Sequence, residues 1–276
     1  MAERDRRRGV LAARAAGEGP RRLATGIDGK RESTAAAATH RHGSAQRSGE
    51  AAAAWPRRPA KVNHAQSDER RLRREIIATA LEMNRLDINR GKAGNVSARR
   101  GEGFLITPSG LPYAETTPGD LVFMTLEGEA RGERTPSSEW RFHRDLYRSR
   151  EDIGAIVHTH PPFATALACH GRGIPAFHYM VAIAGGRDIR CAPYATYGTQ
   201  ELSTHALEAM AGRNACLLAH HGMITVGATL KSALALSVEA ETLAEMYWRA
   251  LQLGEPPLLA DDEMDRVVAR FADYGL

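Results

Sequence analysis

The sequence predicts an α/β fold, one mixed sheet with covering helices, in a single domain that begins near residue 67. Three observations point there. The 210 residues from 67 onward are enough for one sizeable hydrophobic core. Within them, segments that read as strands and segments that read as helices are interspersed without the strict alternation of a doubly wound sheet. Charge divides at the same place. Residues 1–66 carry 14 Lys and Arg against 6 Asp and Glu, and residues 67–276 carry 23 against 27, so +8 gives way to −4 within a chain of +4. The high isoelectric point, about 9.1, belongs to the first segment, and the domain is not a basic nucleic-acid-binding module.

Residues 1–66 are rich in Arg, Ala and Ser, and their large apolar residues are sparse (Val10, Leu11, Leu23, Ile27, Trp55, Val62). Such a segment buries too little to offset the entropy of ordering its backbone, so a disordered basic tail is expected. Order begins near Ser67, where Leu72, Ile76, Ala80 and Met83 fall on one helix face and Gly91 closes the run. Phe104 to Thr107 and Leu121 to Met124 read as strands, separated by turns containing Gly103, Pro108, Gly110, Pro118 and Gly119. Ser138 to Arg150 reads as a helix capped by Ser137, and Ala155 to His158 as a buried strand that stops before Pro161 and Pro162. A helix capped by Thr199 runs to Ala211. Strands follow at Ala215 to Ala219 and Met223 to Val226, then a long helix from Thr229 to Leu253 and a last one after Asp261. Cys169, Cys191 and Cys216 are too few and too scattered for a disulfide framework or a thiolate zinc site, and no run of about 18 apolar residues occurs. A cytoplasmic protein with no membrane partner is expected.

The sharpest local signal is Ile156-Val157-His158-Thr159-His160-Pro161, an apolar strand that ends in two histidines two residues apart. Side chains at i and i+2 of a strand share a face, about 7 Å apart at the backbone, so two imidazoles can converge on one ion. A second buried run, Ala215 to Ala219, exits into His220-His221-Gly222. Adjacent strand residues face opposite ways, so only one of His220 and His221 can join the pair, and the pattern does not say which. Three imidazoles leave room for a carboxylate that yields to substrate, and Glu139, in Pro136-Ser137-Ser138-Glu139, is the candidate. Gly94-Asn95-Val96-Ser97, Thr107-Pro108-Ser109-Gly110 and Ser137-Ser138 form three loops of small residues and hydroxyls suited to holding a phosphate.

These stretches, together with Thr79-Ala80-Leu81-Glu82-Met83, Trp140-Arg141-Phe142-His143 and Cys191-Ala192-Pro193-Tyr194-Ala195-Thr196, keep order and spacing over about residues 67–276. In all of this the chain resembles the class II, zinc-dependent sugar-phosphate aldolases and the adducin heads related to them. The resemblance implies a single-domain, largely antiparallel sheet flanked by helices, assembled as a homotetramer with sites at subunit interfaces. It implies one Zn2+ per subunit held by His158, His160, His221 and Glu139, with Glu139 also the acid/base. It places the phosphate on Gly94, Asn95, Ser109, Gly110, Ser137 and Ser138, and brings Tyr179 from a neighbouring subunit to the aldehyde oxygen, with Tyr274 as a second visiting tyrosine. Position 109 is Ser where a near relative carries Thr, which keeps the hydroxyl.

The activity implied is cleavage of L-fuculose 1-phosphate to dihydroxyacetone phosphate and L-lactaldehyde through an enediolate. Glutamate at 139 favours this over the pentulose-phosphate 4-epimerases, which usually carry aspartate. A methylthioribulose-1-phosphate dehydratase of the same fold keeps the glutamate and is the alternative. Adducin heads have lost the metal histidines, and all three are present here.

Overall fold

The computed structural model describes residues 64–273. The basic segment up to residue 63 and Tyr274 lie outside them. The first helix, α1 (His64–Arg85), is followed by a hairpin of β1 (Asn95–Arg100) and β2 (Gly103–Ile106), then β3 (Val122–Thr125) and the short β4 (Ala130–Arg131). Next come α2 (Trp140–Ser149), β5 (Ala155–Thr159), α3 (Pro162–Cys169), a 3-10 turn at Tyr179–Ala184 and β6 (Arg190–Ala192). The chain closes with α4 (Gln200–Met210), β7 (Ala215–Leu218), β8 (Gly222–Gly227), α5 (Leu230–Ala250) and α6 (Asp261–Asp273).

The eight strands form one sheet in the order β4-β3-β2-β1-β5-β8-β7-β6, antiparallel at every pairing but β6 with β7. This is the mixed, largely antiparallel sheet the sequence predicts. Alternate residues supply its two faces. Phe104, Ile106, Met124, Ile156 and Ile224 pack with Phe142, Leu146 and Tyr147 of α2 and Leu202 and Ala206 of α4. Val96, Ala98, Leu105, Ala155 and Val157 point the other way, onto Ile76, Ala80 and Met83 of α1 and Leu230 and Ala233 of α5. Phe104 and Phe142 are fully buried, each contributing about 1.5–3 kcal/mol by removal from water.

Four elements differ from the sequence reading. β1 occupies residues read as an anion-binding loop, because Asn95 and Ser97 are polar yet buried on the face covered by α2. β4 and β6 are two and three residues long, too short for a periodic signal. α3 starts at Pro162, where the sequence marked only the end of a strand. Proline is tolerated in the first turn of a helix, and the first free amides, of Phe163 and Ala164, each donate at 2.8 Å to the Glu241 carboxylate on α5. The termini shift by a few residues. α1 ends at Arg85 rather than near Gly91, and α5 gives way to a 3-10 turn at Leu251–Leu253. Thr199 caps α4 as expected and Thr229 caps α5, whereas α2 starts at Trp140 with Glu139, not the expected Ser137, at its N-cap and no side-chain cap.

Candidate active site

The site forms where β1, β5 and the β7–β8 turn meet the start of α2. β5 carries His158 and, one residue past its end, His160. The period of two turns both to the α2 face, the one Ile156 shares. β7 ends at Leu218 and β8 begins at Gly222, paired with it, so Ala219, His220 and His221 make a tight turn. His220 takes a left-handed φ of 55° there, which reverses the chain and brings His221 back over β5. Gly222 admits the close approach. A Cβ at that position would press on the Thr159 carbonyl and the His160 ring. Of the two adjacent histidines it is therefore His221 that joins the pair, while His220 stacks edge-on with Tyr194.

The three rings lie 4.8 to 5.0 Å apart between centroids, with one candidate ligand atom of each within 4.8 Å of the others. Nε2 of His158 is 3.0 Å from Nε2 of His160 and 3.1 Å from Oε2 of Glu139; Nε2 of His221 is 3.1 Å from Oε1 of Glu139. The Met223 carbonyl, 2.9 Å from Nδ1 of His158, can only accept, so it holds the proton on Nδ1 and leaves the Nε2 lone pair facing inward. Glu139 is buried, and its Oε1 receives no hydrogen bond from the described residues. Lone pairs thus converge with too few protons to separate them. An ion bonded to nitrogen and oxygen at about 2.0–2.1 Å sets tetrahedral ligand atoms about 3.4 Å apart, near the 3.0 and 3.1 Å of His158 to His160, His158 to Glu139 and His221 to Glu139. The donor set fits a divalent metal, and His158, His160, His221 and Glu139 are the residues that could hold it.

The electrostatics agree. Burial pushes the Glu139 carboxyl up, but His158 and His221 outweigh burial and hold it well below the usual carboxylate range. Burial disfavours protonation of His158, yet the adjacent carboxylate reverses this and raises its proton affinity. His160 is pushed down to about 3 by burial and by its two histidine neighbours. The cluster could hold one cation.

Around this centre lies hydrogen bonding that the sequence reading missed. Asn95 donates from Nδ2 to Oε2 of Glu139 at 2.9 Å, and its Oδ1 lies 2.5 Å from Nε2 of His143. The Asn95 side chain, expected to meet a phosphate, is committed to Glu139 and His143. Ser97 Oγ lies 2.7 Å from Nδ1 of His143 and 2.9 Å from the Tyr147 hydroxyl. The available signal was a spacing: Glu139, His143 and Tyr147 are four residues apart on one helix face, and Asn95, Ser97 and Arg99 are two apart on one strand face. Burial pushes the His143 ring down to about 3, so it is neutral. The Tyr113 hydroxyl donates to the Gly94 carbonyl and pins the chain entering β1.

The remaining loops lie against one another. Pro108 and Pro136 form a bridge, flanked by hydrogen bonds from Ser109 N–H to Thr135 O at 2.9 Å and from Ser137 N–H to Thr107 O at 3.1 Å. Lys92 donates to the Gly110 carbonyl at 2.7 Å, which joins this pair of loops to the one before β1. Ser109, Gly110 and Ser138 are exposed, and the Ser137 hydroxyl accepts from the Glu139 amide at 3.3 Å. Tyr179 stands in a different setting. It is half-exposed, its ring is 4.8 Å from His178, and it lines a cavity of about 780 Å3 with Ile183, Val267 and Phe271.

Residues 74–248 match the family described as Class II Aldolase and Adducin N-terminal domain. The 5-methylthioribulose-1-phosphate/5-deoxyribulose-1-phosphate aldolase of Rhodospirillum rubrum is 61% identical over 204 residues, 74% of this chain and 92% of that protein. The L-fuculose phosphate aldolase of Escherichia coli K12 is 48% identical over 210 residues, 76% of this chain and 98% of that one. A solved structure of an L-fuculose 1-phosphate aldolase superposes with a TM-score of 0.71 at 41% identity, covering 73% of this chain and 96% of that chain.

Proposed function

Since the chain belongs to the class II aldolase and adducin family, we propose that it is a metal-dependent aldolase cleaving a ketose 1-phosphate, with Glu139 as its acid/base. The observation that carries this reading is the buried Glu139 Oε1, which no described residue hydrogen-bonds, among three imidazoles whose lone pairs converge. Three imidazoles and a carboxylate suit zinc, which we take as the ion. Bound there, it supplies Lewis-acid stabilisation of the negative charge left beside the ketone when a carbon–carbon bond breaks.

Glu139 moves a proton to the carbon released as that bond breaks, and takes it back in the condensing direction. Ser109, Gly110, Ser137 and Ser138, with backbone amides at Gly94 and Asn95, hold the phosphate and fix the reacting carbons from a distance. Tyr179, exposed on its own subunit, serves the site of a neighbour in a homotetramer. There its hydroxyl gives its proton to the aldehyde oxygen in the condensing direction, and the phenolate that this leaves takes the proton back from the alcohol in cleavage.

The substrate we propose is a ketose 1-phosphate whose far carbon lacks a hydroxyl. The 61% relative is named for 5-deoxyribulose and 5-methylthioribulose 1-phosphates, and L-fuculose is itself a terminal deoxy sugar. The higher identity favours the five-carbon substrates over L-fuculose 1-phosphate, which is the second reading. Because that relative is named an aldolase, it supports cleavage of methylthioribulose 1-phosphate rather than its dehydration. The test is a coupled assay for dihydroxyacetone phosphate over these three substrates with the zinc-loaded protein. Release should be fastest with the five-carbon pair. A dehydrated sugar phosphate with no triose phosphate would overturn the reading.

A further inference from the structure

The helix and the strand that meet at the site are matched by their repeats. Two residues of strand advance about 6.6 Å and four residues of helix about 6.0 Å. Asn95, Ser97 and Arg99 on β1 therefore stay in step with Glu139, His143 and Tyr147 along α2. Asn95 meets Glu139 and His143, and Ser97 meets His143 and Tyr147. Arg99 lies over the Tyr147 ring at 4.8 Å and donates to the carbonyls of Tyr147, Arg150 and Ile153. Asn95, Ser97, His143 and Tyr147 are all buried.

The chemistry of the end group fixes the direction of every bond in this chain. A metal-binding carboxylate has no proton to give, so Asn95 must turn its amide nitrogen to Glu139 and its oxygen to His143. That oxygen can only accept, so His143 must carry its proton on Nε2. Its bare Nδ1 then accepts from the Ser97 hydroxyl, whose oxygen accepts in turn from Tyr147.

We propose that His143, as the Nε2–H tautomer, is a positioning residue that holds the Asn95 amide against Glu139 Oε2. The carboxylate is thereby aimed so that Oε1 faces the reacting carbon. Without His143 the Asn95 amide is free to rotate, and Glu139 loses its only neutral donor among the described residues. The proposal rests on Glu139 being the acid/base, but its first test does not.

Nitrogen NMR of the histidine-labelled, zinc-loaded protein should show one ring with a bare Nδ1 and a protonated Nε2 that is lost in His143→Gln. A proton on Nδ1 overturns the proposal, whatever reaction the protein catalyses. An absence of triose phosphate release from the unaltered protein would sink the proposed activity and leave the tautomer standing. In the cleavage assay, His143→Leu should lower kcat about 10- to 100-fold with bound zinc and KM nearly unchanged, and His143→Gln, which can still donate to Asn95, should recover most of the loss. Near-normal kcat in His143→Leu, or two folded variants equally impaired, overturns it. If His143→Leu does not fold, Ser97→Ala should still lower kcat about tenfold, and an unchanged kcat in that variant counts against the proposal.

Discussion

A Cβ on Gly222 would lie 2.5 Å from Cδ2 of the His160 ring. The first residue of β8 thus sets how near the turn carrying His221 can come to β5. Gly222→Ala should push His160 or His221 out of place and weaken metal binding about 10- to 100-fold, with cleavage falling in step. Metal content after dialysis checks this, and a variant that keeps its full complement would refute it.

Glu139→Gln should retain the ion on its three imidazoles, because an amide leaves those ligands intact, yet slow cleavage by about 10^2- to 10^4-fold. Elemental analysis and turnover on the same preparation separate the two roles. Turnover near that of the unaltered protein would remove Glu139 from the chemistry.

Chelation should abolish cleavage and lower the melting temperature, and added Zn2+ should restore both. His158→Ala should neither bind the ion nor cleave. The pH dependence follows from His158, whose proton affinity is raised because Glu139 outweighs its burial. The ion has to displace that proton, so occupancy falls as pH falls through the range where His158 protonates. Metal titrations at several pH values should show affinity rising with pH. A flat profile would contradict it.

Asp120 closes the turn before β3. It accepts from the Thr117 hydroxyl at 2.6 Å and amide at 2.9 Å and from Arg134 at 2.8 Å, which together hold its carboxyl down to about 2. A folded value below the ordinary one gives stability that is complete above about pH 4 and drains away as pH falls toward 2. Asp120→Asn should cost about 1 kcal/mol at neutral pH, a melting shift of about 2–4 °C that closes in acid. A gap that persists at pH 2 would show that the charge is not its source.

The histidine pair, the glutamate and the sheet class were legible because each rests on a local period. Two histidines at strand spacing and a carboxylate beside paired serines at a helix start need no knowledge of the rest of the chain. The choice between His220 and His221 was not legible, since it turns on a left-handed residue in a tight reversal. The strand at Asn95 was missed for a related reason. The neighbours of Asn95, Gly94 and Ser97, look like loop chemistry, and only the packing of α2 over β1 shows that these polar side chains face inward. His143 and Tyr147 were visible as a helical spacing, but their partners lie on a strand 48 and 50 residues away.

The stepwise match between β1 and α2 bears on how this protein tolerates altered length. A single residue inserted or deleted within 95–99 would turn Ser97 to the opposite face of the sheet, and one within 139–147 would rotate His143 by about 100° around its helix. Exchange of side chains there can be graded, but a shift of frame breaks all the rungs at once. Chimeras and loop grafts are therefore best joined outside both segments.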